Sequence, residues 1–396
     1  MNPETTSSTL PVNFKTARAL RRQSDPSGLE RLDVDCGNAA SLHLDRVLHS
    51  RIIGQDDSVQ LLTCAFSRLL ADLRDPGRPA LSVLLLGPTG VGKTETARAF
   101  ADALFGDDTA LTRINCEEYA HGHEVSKLLG PPPGYIGFGM EPLLSQRRID
   151  RPHCKAVEAK RGMVGEDNGG LAEIFPSEDG RRLSIVLFDE IEKAHPIVWN
   201  ALLGILDGGV LTLGDNSTTN FAGSIVILTS NAGSLQCREL IESSTIGFAP
   251  SDADPEPQLD DLEAAVLLAA RETFPPEFLN RLDDVLVYDA LEREHVERIF
   301  DKFLADLHDR ALRRAGFPLL IRVSPDAKRL IVRRGTDPAL GARPLRRAID
   351  SLLIAPLSRL IAARSLTRGD VVHVERGRSG NLAFYRDNSP EAAVVA

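Results

Sequence analysis

The sequence predicts an α/β fold: a parallel sheet sandwiched by helices, followed by a small, mainly helical C-terminal domain with short strands. Three observations predict it. Short, fully apolar runs such as LSVLLL (Leu81–Leu86) suit strands buried on both faces. These runs alternate with stretches whose apolar residues recur at helical spacing, as in successive βα units. Past Ala290 the alternation gives way to long, charged amphipathic helices, so a second unit starts there.

Taken in order, residues 1–40 are rich in Ser, Thr, Asp and Arg without a sustained period and read as a flexible leader. The basic stretch 13–23 (NFKTARALRRQ) has the composition of a transit peptide, but Glu4 and the missing amphipathic period favour the leader. A helical pattern begins near Leu42 and runs through LHLDRVLHSRI. After Gly54 a second one, DDSVQLLTCAFSRLLADL, stops at the turn residues Asp75, Pro76 and Gly77. The strand candidates are LSVLLL, ALTRIN, LSIVLF and SIVILTS. They belong to a large domain over 41–289, within which a polar, Gly-rich stretch at about 140–182 reads as an insertion. The small domain, 290–386, holds the helix LEREHVERIFDKFLADLHDRALRRAG, the strand LLIRVS and a helix pair ending in PLRRAIDSLLIAPLSRLIAARS. DVVHVE and LAFYR close it, and 387–396 form a flexible tail.

Composition narrows the function. Of 396 residues, 42% are hydrophobic and 26% charged, which leaves ample material for a core. The net charge of -10, without a Lys/Arg stripe interleaved with aromatics, argues against a nucleic-acid partner. No apolar run reaches the roughly 18 residues needed to span a bilayer, so no membrane partner is expected. Five cysteines (Cys36, Cys64, Cys116, Cys154 and Cys237) lie far apart without CxxC pairing. They read as reduced thiols, and the expected location is cytoplasmic.

Chemistry enters at Gly87-Pro88-Thr89-Gly90-Val91-Gly92-Lys93-Thr94, a complete G-x-x-x-x-G-K-[ST] phosphate loop between an apolar strand and a helix. Its glycines let backbone N–H groups wrap phosphates, and the helix N-terminus adds positive partial charge there. Lys93 is placed to reach the β- and γ-phosphates of ATP and Thr94 to ligate Mg²⁺. A second strand, LSIVLFDE, ends in two carboxylates at the sheet edge where parallel sheets bind ligands. Asp189 would hold Mg²⁺ through water and Glu190 would polarise the attacking water. A third strand leads to Asn231, whose amide either contacts the γ-phosphate or attacking water, or closes an Asx turn. By spacing alone both readings stand.

Seven motifs in order (RIIGQDDSV, GPTGVGKTETA, LLGPPPGYIGFG, LFDEIEKAHP, ILTSNAGS, PPEFLNRLDDV and GARPLRRAI) give the chain its resemblance to the Clp subgroup of AAA+ ATPases, of ClpA, ClpB and ClpC type. It most resembles their C-terminal ATPase module. The resemblance implies that Ile52 and Ile53 border the adenine and that Asn231 senses the γ-phosphate. It implies that Arg281 is an arginine finger acting on nucleotide held by the neighbouring subunit, and that Arg343 is the second sensor. Gly134-Tyr135-Ile136-Gly137 resembles the aromatic pore loop that grips polypeptide, and DGGVLTLGDNSTTNF would be a second axial loop. Ile246-Gly247-Phe248 resembles the tripeptide by which some relatives dock on a ClpP-like peptidase; folding back onto the core is the other reading.

The chain departs from the family pattern in three ways. About 40 residues precede the match, where relatives usually carry a substrate-binding domain, so recognition of substrate or adaptor is expected to come from elsewhere. The segment before LSIVLFDE is longer than the pattern, and Pro275 stands where relatives often have an arginine. The resemblance implies an ATP-dependent unfoldase or remodelling chaperone, a homo-oligomeric hexameric ring threading unfolded or tagged proteins. The ATPase subunit of a ClpP-type protease is the alternative. A nucleic-acid motor fits the charge poorly, and a scaffold without hydrolysis fits poorly with intact Lys93, Asp189, Glu190, Asn231, Arg281 and Arg343.

Overall fold

A computed structural model describes residues 39–71, 75, 77–131, 134, 139–152, 182–234, 259–315, 319–337, 341–366, 369–377 and 380–387. Two helices lead, α1 (Ala39–Arg51) and α2 (Asp56–Leu70). Asp56 and Asp57 lie in the first turn of α2, where carboxylates oppose the positive end of the helix dipole.

Five parallel strands form the central sheet: β1 (Leu81–Leu86), β2 (Thr112–Asn115), β3 (Ser184–Asp189), β6 (Ser224–Thr229) and β7 (Asp284–Val287), in spatial order β2-β3-β6-β1-β7. The inner strands β1, β3 and β6 are buried at every residue, which is why their sequences are continuous apolar runs. Alternate side chains divide between two cores. Val83 and Leu85 join the core under α1, α2 and α3 (Lys93–Phe105). Leu84 and Leu86 join the opposite core, with α5 (Pro196–Gly208) and α6 (Leu259–Thr273). Between these elements lie the short α4 (Val125–Leu129) and a hairpin of β4 (Val210–Thr212) and β5 (Thr218–Asn220).

Strand β7 was no strand candidate in the sequence. It is a four-residue edge strand with only Leu286 fully buried, and its apolar run, Val285 to Tyr288, is short and set between aspartates. The segment DGGVLTLGDNSTTNF contains the β4–β5 hairpin, with Leu211 buried beneath it. The first helix starts at Ala39, three residues before Leu42, because Ala40 and Ser41 are also buried.

After α7 (Pro276–Leu279) and β7, the chain enters α8 (Arg293–Ala315). A second sheet follows, with strand order β10-β9-β8 from β8 (Leu320–Val323), β9 (Val371–Arg376) and β10 (Leu382–Arg386). Helices α9 (Pro325–Gly335), α10 (Arg343–Ile349) and α11 (Ala355–Ala362) pack with it around Phe300, Ile331, Leu345, Leu353 and Val374. A π-helical turn, Asp350–Ile354, joins α10 to α11. Among the described residues no helix is long and apolar enough to cross a membrane, and Cys64 (exposed) and Cys116 (buried) are free thiols. Cys36, Cys154 and Cys237, the leader up to residue 38, residues 153–181 of the insertion and residues 388–396 lie outside the described residues.

Candidate nucleotide site

Parallel strands place their C-terminal ends on one edge, and the phosphate loop leaves β1 there. Gly87 has φ 134°, and a Cβ on it would lie 2.4 Å from the Tyr288 carbonyl oxygen, so only glycine lets the loop pass β7. Gly92, also left-handed at φ 114°, precedes α3. Tyr288 is fully buried and its hydroxyl pairs with Thr96 Oγ1 at 2.7 Å, bracing the base of α3.

Lys93 is folded back onto the loop. Its Nζ donates to the carbonyls of Gly87 (2.7 Å) and Pro88 (2.6 Å) and to Asn231 Oδ1 (3.0 Å). Burial, with the charge of Arg343, pulls its pKa down to about 8 against the opposing charges of Glu192, Asp189 and Glu190. Asp189 is held at three points: Oδ1 accepts from Thr94 Oγ1 (3.0 Å) and Thr229 Oγ1 (2.6 Å), and Oδ2 pairs with Arg113 Nη2 (2.5 Å). The Thr94 hydroxyl and the Asp189 carboxylate therefore converge on one point at the loop's mouth.

Glu190 follows in the left-handed region at φ 58°. A non-glycine residue there is costly unless its surroundings fix it. Here its N–H donates to Thr229 Oγ1 (3.1 Å), Oε1 accepts from Asn231 Nδ2 (3.2 Å) and Oε2 pairs with Lys193 Nζ (2.7 Å). Asn231 thus bridges Lys93 and Glu190, and its N–H donates to Glu192 Oε1 (3.1 Å). Glu192 Oε2 is buried without a hydrogen-bond partner among the described residues.

The second unit closes the cleft. Gly341 (φ 56°) sits so near the phosphate loop that a Cβ would lie 2.7 Å from the Thr89 carbonyl oxygen. Ala342 N–H donates to the Gly90 carbonyl (3.2 Å), and Arg343 opens α10 with Nη2 4.0 Å from Glu190 Oε1. The cleft encloses about 850 Å³. Ile52, Ile53 and Val91 line it, as do Leu291, Ile299 and Phe303 near and on α8, with Ile349 at the end of α10 and Ile354 in the turn after it. Arg51, just before Ile52, pairs with Glu95 (2.7 Å), Asp102 (3.0 Å) and Asp108 (3.1 Å). Its carbonyl accepts from Lys302 Nζ of α8 (3.0 Å), so this end is a seam between the two units.

Gly90 to Thr94, Asp189, Glu190, Asn231, Arg343, Ile52 and Ile53 therefore meet in one cleft. Arg281 does not line it: its guanidinium pairs with Asp207 (2.7 Å) and Glu277 (2.8 Å). Gly134 is an exposed turn residue, whereas Tyr135, Ile136 and Gly137, and Ile246, Gly247 and Phe248, lie outside the described residues. Sequence reasoning missed Arg113, Thr229, Lys193 and the apolar wall from the second unit. For the wall the sequence offers only a generic pattern: Ile299 and Phe303 share one face of α8 at i,i+4 spacing, as in any amphipathic helix.

A phosphate loop facing two strand-end carboxylates, under a helical second unit, defines a P-loop nucleotide-binding protein. The chain belongs to the AAA domain family (Cdc48 subfamily), whose model matches residues 78–155 and 154–285. Residues 291–374 match the model of the C-terminal, D2-small domain of ClpB. Relatives include "Chaperone protein ClpB 2" of Thermosynechococcus vestitus, 38% identical over 341 residues (84% of this chain, 33% of the relative). The ClpB chaperone of Corynebacterium glutamicum is 39% identical over 339 residues (86% and 33%). The chain thus spans about a third of the length of these relatives. Among solved structures it is similar to a Saccharomyces cerevisiae Hsp104:casein complex in an extended conformation. The TM-score is 0.69 at 27% identity, over 89% of this chain and 53% of that one.

Proposed function

We propose that the chain is the ATP-hydrolysing module of a Clp-type protein unfoldase or disaggregase, built from a large domain (41–289) and a small domain (290–386). In this reading its subunits form a hexameric ring in the cytoplasm that threads unfolded or tagged polypeptide through a central pore. The observation that carries the reading is the division of cations. Lys93 and Arg343 stand at the cleft, whereas Arg281 is held outside it on a surface beside Asp207. With Arg281 serving the nucleotide of a neighbouring subunit, hydrolysis is completed only in an assembly, and heterologous contacts of that kind close into rings. The similarity to ClpB chaperones and to an Hsp104 bound to casein supports a polypeptide as the substrate.

Loop N–H groups and Lys93 would bind the ATP phosphates, and Ile52, Ile53, Ile299 and Phe303 would enclose the base. The Thr94 hydroxyl and Asp189 carboxylate, 3.0 Å apart, are hard oxygen donors that fit Mg²⁺. Bound there, Mg²⁺ would neutralise charge on the phosphates. Glu190 accepts the proton of the attacking water. Asn231, hydrogen-bonded to both Lys93 and Glu190, links the phosphate position to the carboxylate. Arg343 relays the same state to the small domain, and Arg281 of a neighbour completes the charge.

Tyr135 grips the threaded chain in this account. A ClpP-like peptidase or an adaptor as a further partner rests on the Ile246-Gly247-Phe248 motif alone, and the chaperone reading is the better supported. The test is ATP-dependent unfolding of a tagged fluorescent protein. Glu190→Gln is expected to bind ATP and trap substrate without turnover, and Tyr135→Ala to keep basal ATPase while losing unfolding. Unfolding by Tyr135→Ala at the parental rate, or near-normal turnover by Glu190→Gln, would refute the respective role.

A further inference from the structure

Lys193 stands between two carboxylates. Its Nζ lies 2.7 Å from Glu190 Oε2 and 3.3 Å from Glu117 Oε1. Glu117 belongs to a single 3₁₀ turn, Cys116–Tyr119, that follows β2; Lys193 ends another, Ile191–Lys193, that follows β3. The His195 N–H donates to the Tyr119 carbonyl at 2.9 Å and ties the two turns together. Neither Lys193 nor Glu117 lines the nucleotide cleft.

The arrangement bears on how Glu190 can work. A carboxylate that takes a proton from water needs a free lone pair aimed at that water. In this structure both oxygens are engaged, Oε1 by Asn231 Nδ2 and Oε2 by the Lys193 ammonium, with Arg343 Nη2 4.0 Å from Oε1 and the backbone N–H turned to Thr229. Of these groups, Lys193 alone also pairs with a second carboxylate outside the cleft. An ammonium on a flexible stem can move between acceptors this close at little cost.

We propose that Lys193 is a positioning residue that restrains Glu190 and releases it by shifting its ammonium onto Glu117. The inference rests on Glu190 being the water-activating base. When Lys193 sits on Glu190, its ammonium takes one of the two lone pairs of Oε2 and competes with water for that atom; when it sits on Glu117, both are open to water. The β2 edge thereby sets how often the base is available. The pKa of Lys193 is raised, first by its hydrogen bond to Glu190 and also by that to Glu117, in keeping with an ammonium held by both.

Three variants test this: Lys193→Met, Glu117→Gln and the double variant. Lys193→Met is expected to raise kcat by about two- to fivefold, the scale of a partly exposed ion pair. Glu117→Gln should lower kcat by a similar factor, because the ammonium loses its second seat. The double variant should match Lys193→Met, since Glu117 acts only through the lysine. The KM for ATP and the binding of a fluorescent ATP analogue, read separately by anisotropy, should stay at parental values in all three. A lowered kcat in Lys193→Met, or a Glu117→Gln defect that persists in the double variant, would overturn the proposal. Near-normal turnover in Glu190→Gln would instead remove the reading on which it rests, so the two failures are distinguishable.

Discussion

At the phosphate end of the cleft, the polar groups other than Arg343 ride on the sheet strands, on the turns after them or on the loop that β1 feeds. At the end proposed for adenine the wall is assembled from both units: Ile52 and Ile53 after α1, Ile299 and Phe303 on α8, Ile349 at the end of α10 and Ile354 beyond it. The first end is fixed by buried strands and short hydrogen bonds around Asp189 and Lys93. The second is held by a seam, the Lys302–Arg51 carbonyl contact and the fit of Gly341 against Thr89. The difference teaches where chemistry and motion separate. In the proposed reading, charge is handled at a hydrogen-bonded strand edge, and the base would be clasped between parts contributed by both units.

Disturbing the point where the two ends meet should have the largest effect. Gly341→Ala puts a Cβ within 2.7 Å of the Thr89 carbonyl oxygen and strains a left-handed residue. It should push α10 off the loop, lose the Ala342–Gly90 hydrogen bond and withdraw Arg343. Turnover is expected to fall about tenfold or more, as when one preorganised charge is lost. A steady-state ATPase assay with parental kcat would mean that the small domain is not coupled to the phosphates.

The adenine end is sharpened by Phe303→Ala. Losing part of an apolar wall should raise the KM for ATP about three- to tenfold, while kcat stays near the parental value. The reverse pattern, lower kcat at constant KM, would break the division between the two ends.

The smallest effect lies beneath the phosphate end. Tyr288→Phe removes the hydroxyl that pairs with Thr96 in the core and should cost about 1 kcal/mol, measured by urea unfolding. Nucleotide turnover should change little, because Tyr288 braces α3 from behind.

The same division explains what the sequence disclosed. Gly87 to Thr94 and Asp189-Glu190 are contiguous motifs tied to apolar strands, so their convergence was legible before any coordinates. Strand β7 was not, because its apolar run, Val285 to Tyr288, is short and set between Asp283-Asp284 and Asp289. The wall at Ile299 and Phe303 was not either. Its residues read as an ordinary amphipathic face, and only the packing of α8 over Arg51 turns that face to the cleft. Arg113 and Lys193 look like solvent-facing charges in one dimension. Adjacency of β2 and β3 sets Arg113 on Asp189 and brings Glu117 to Lys193. Arg281 was expected to act outside its own cleft on resemblance alone. Its pairing with Asp207, distant in sequence, is visible only in three dimensions, whereas Glu277 is its i,i+4 neighbour.

The central claim, that hydrolysis is completed across subunits, is tested most directly by mixing two inactive variants. Arg281→Ala keeps Glu190 but offers no cation to its neighbour; Glu190→Gln offers the cation but cannot activate water. Each alone should be nearly inactive as an ATPase. Mixed rings, with co-assembly verified by native mass measurement, should recover hydrolysis in proportion to the interfaces that pair an intact Glu190 with a neighbour's Arg281. Absence of activity at every mixing ratio, despite co-assembly, would contradict the account.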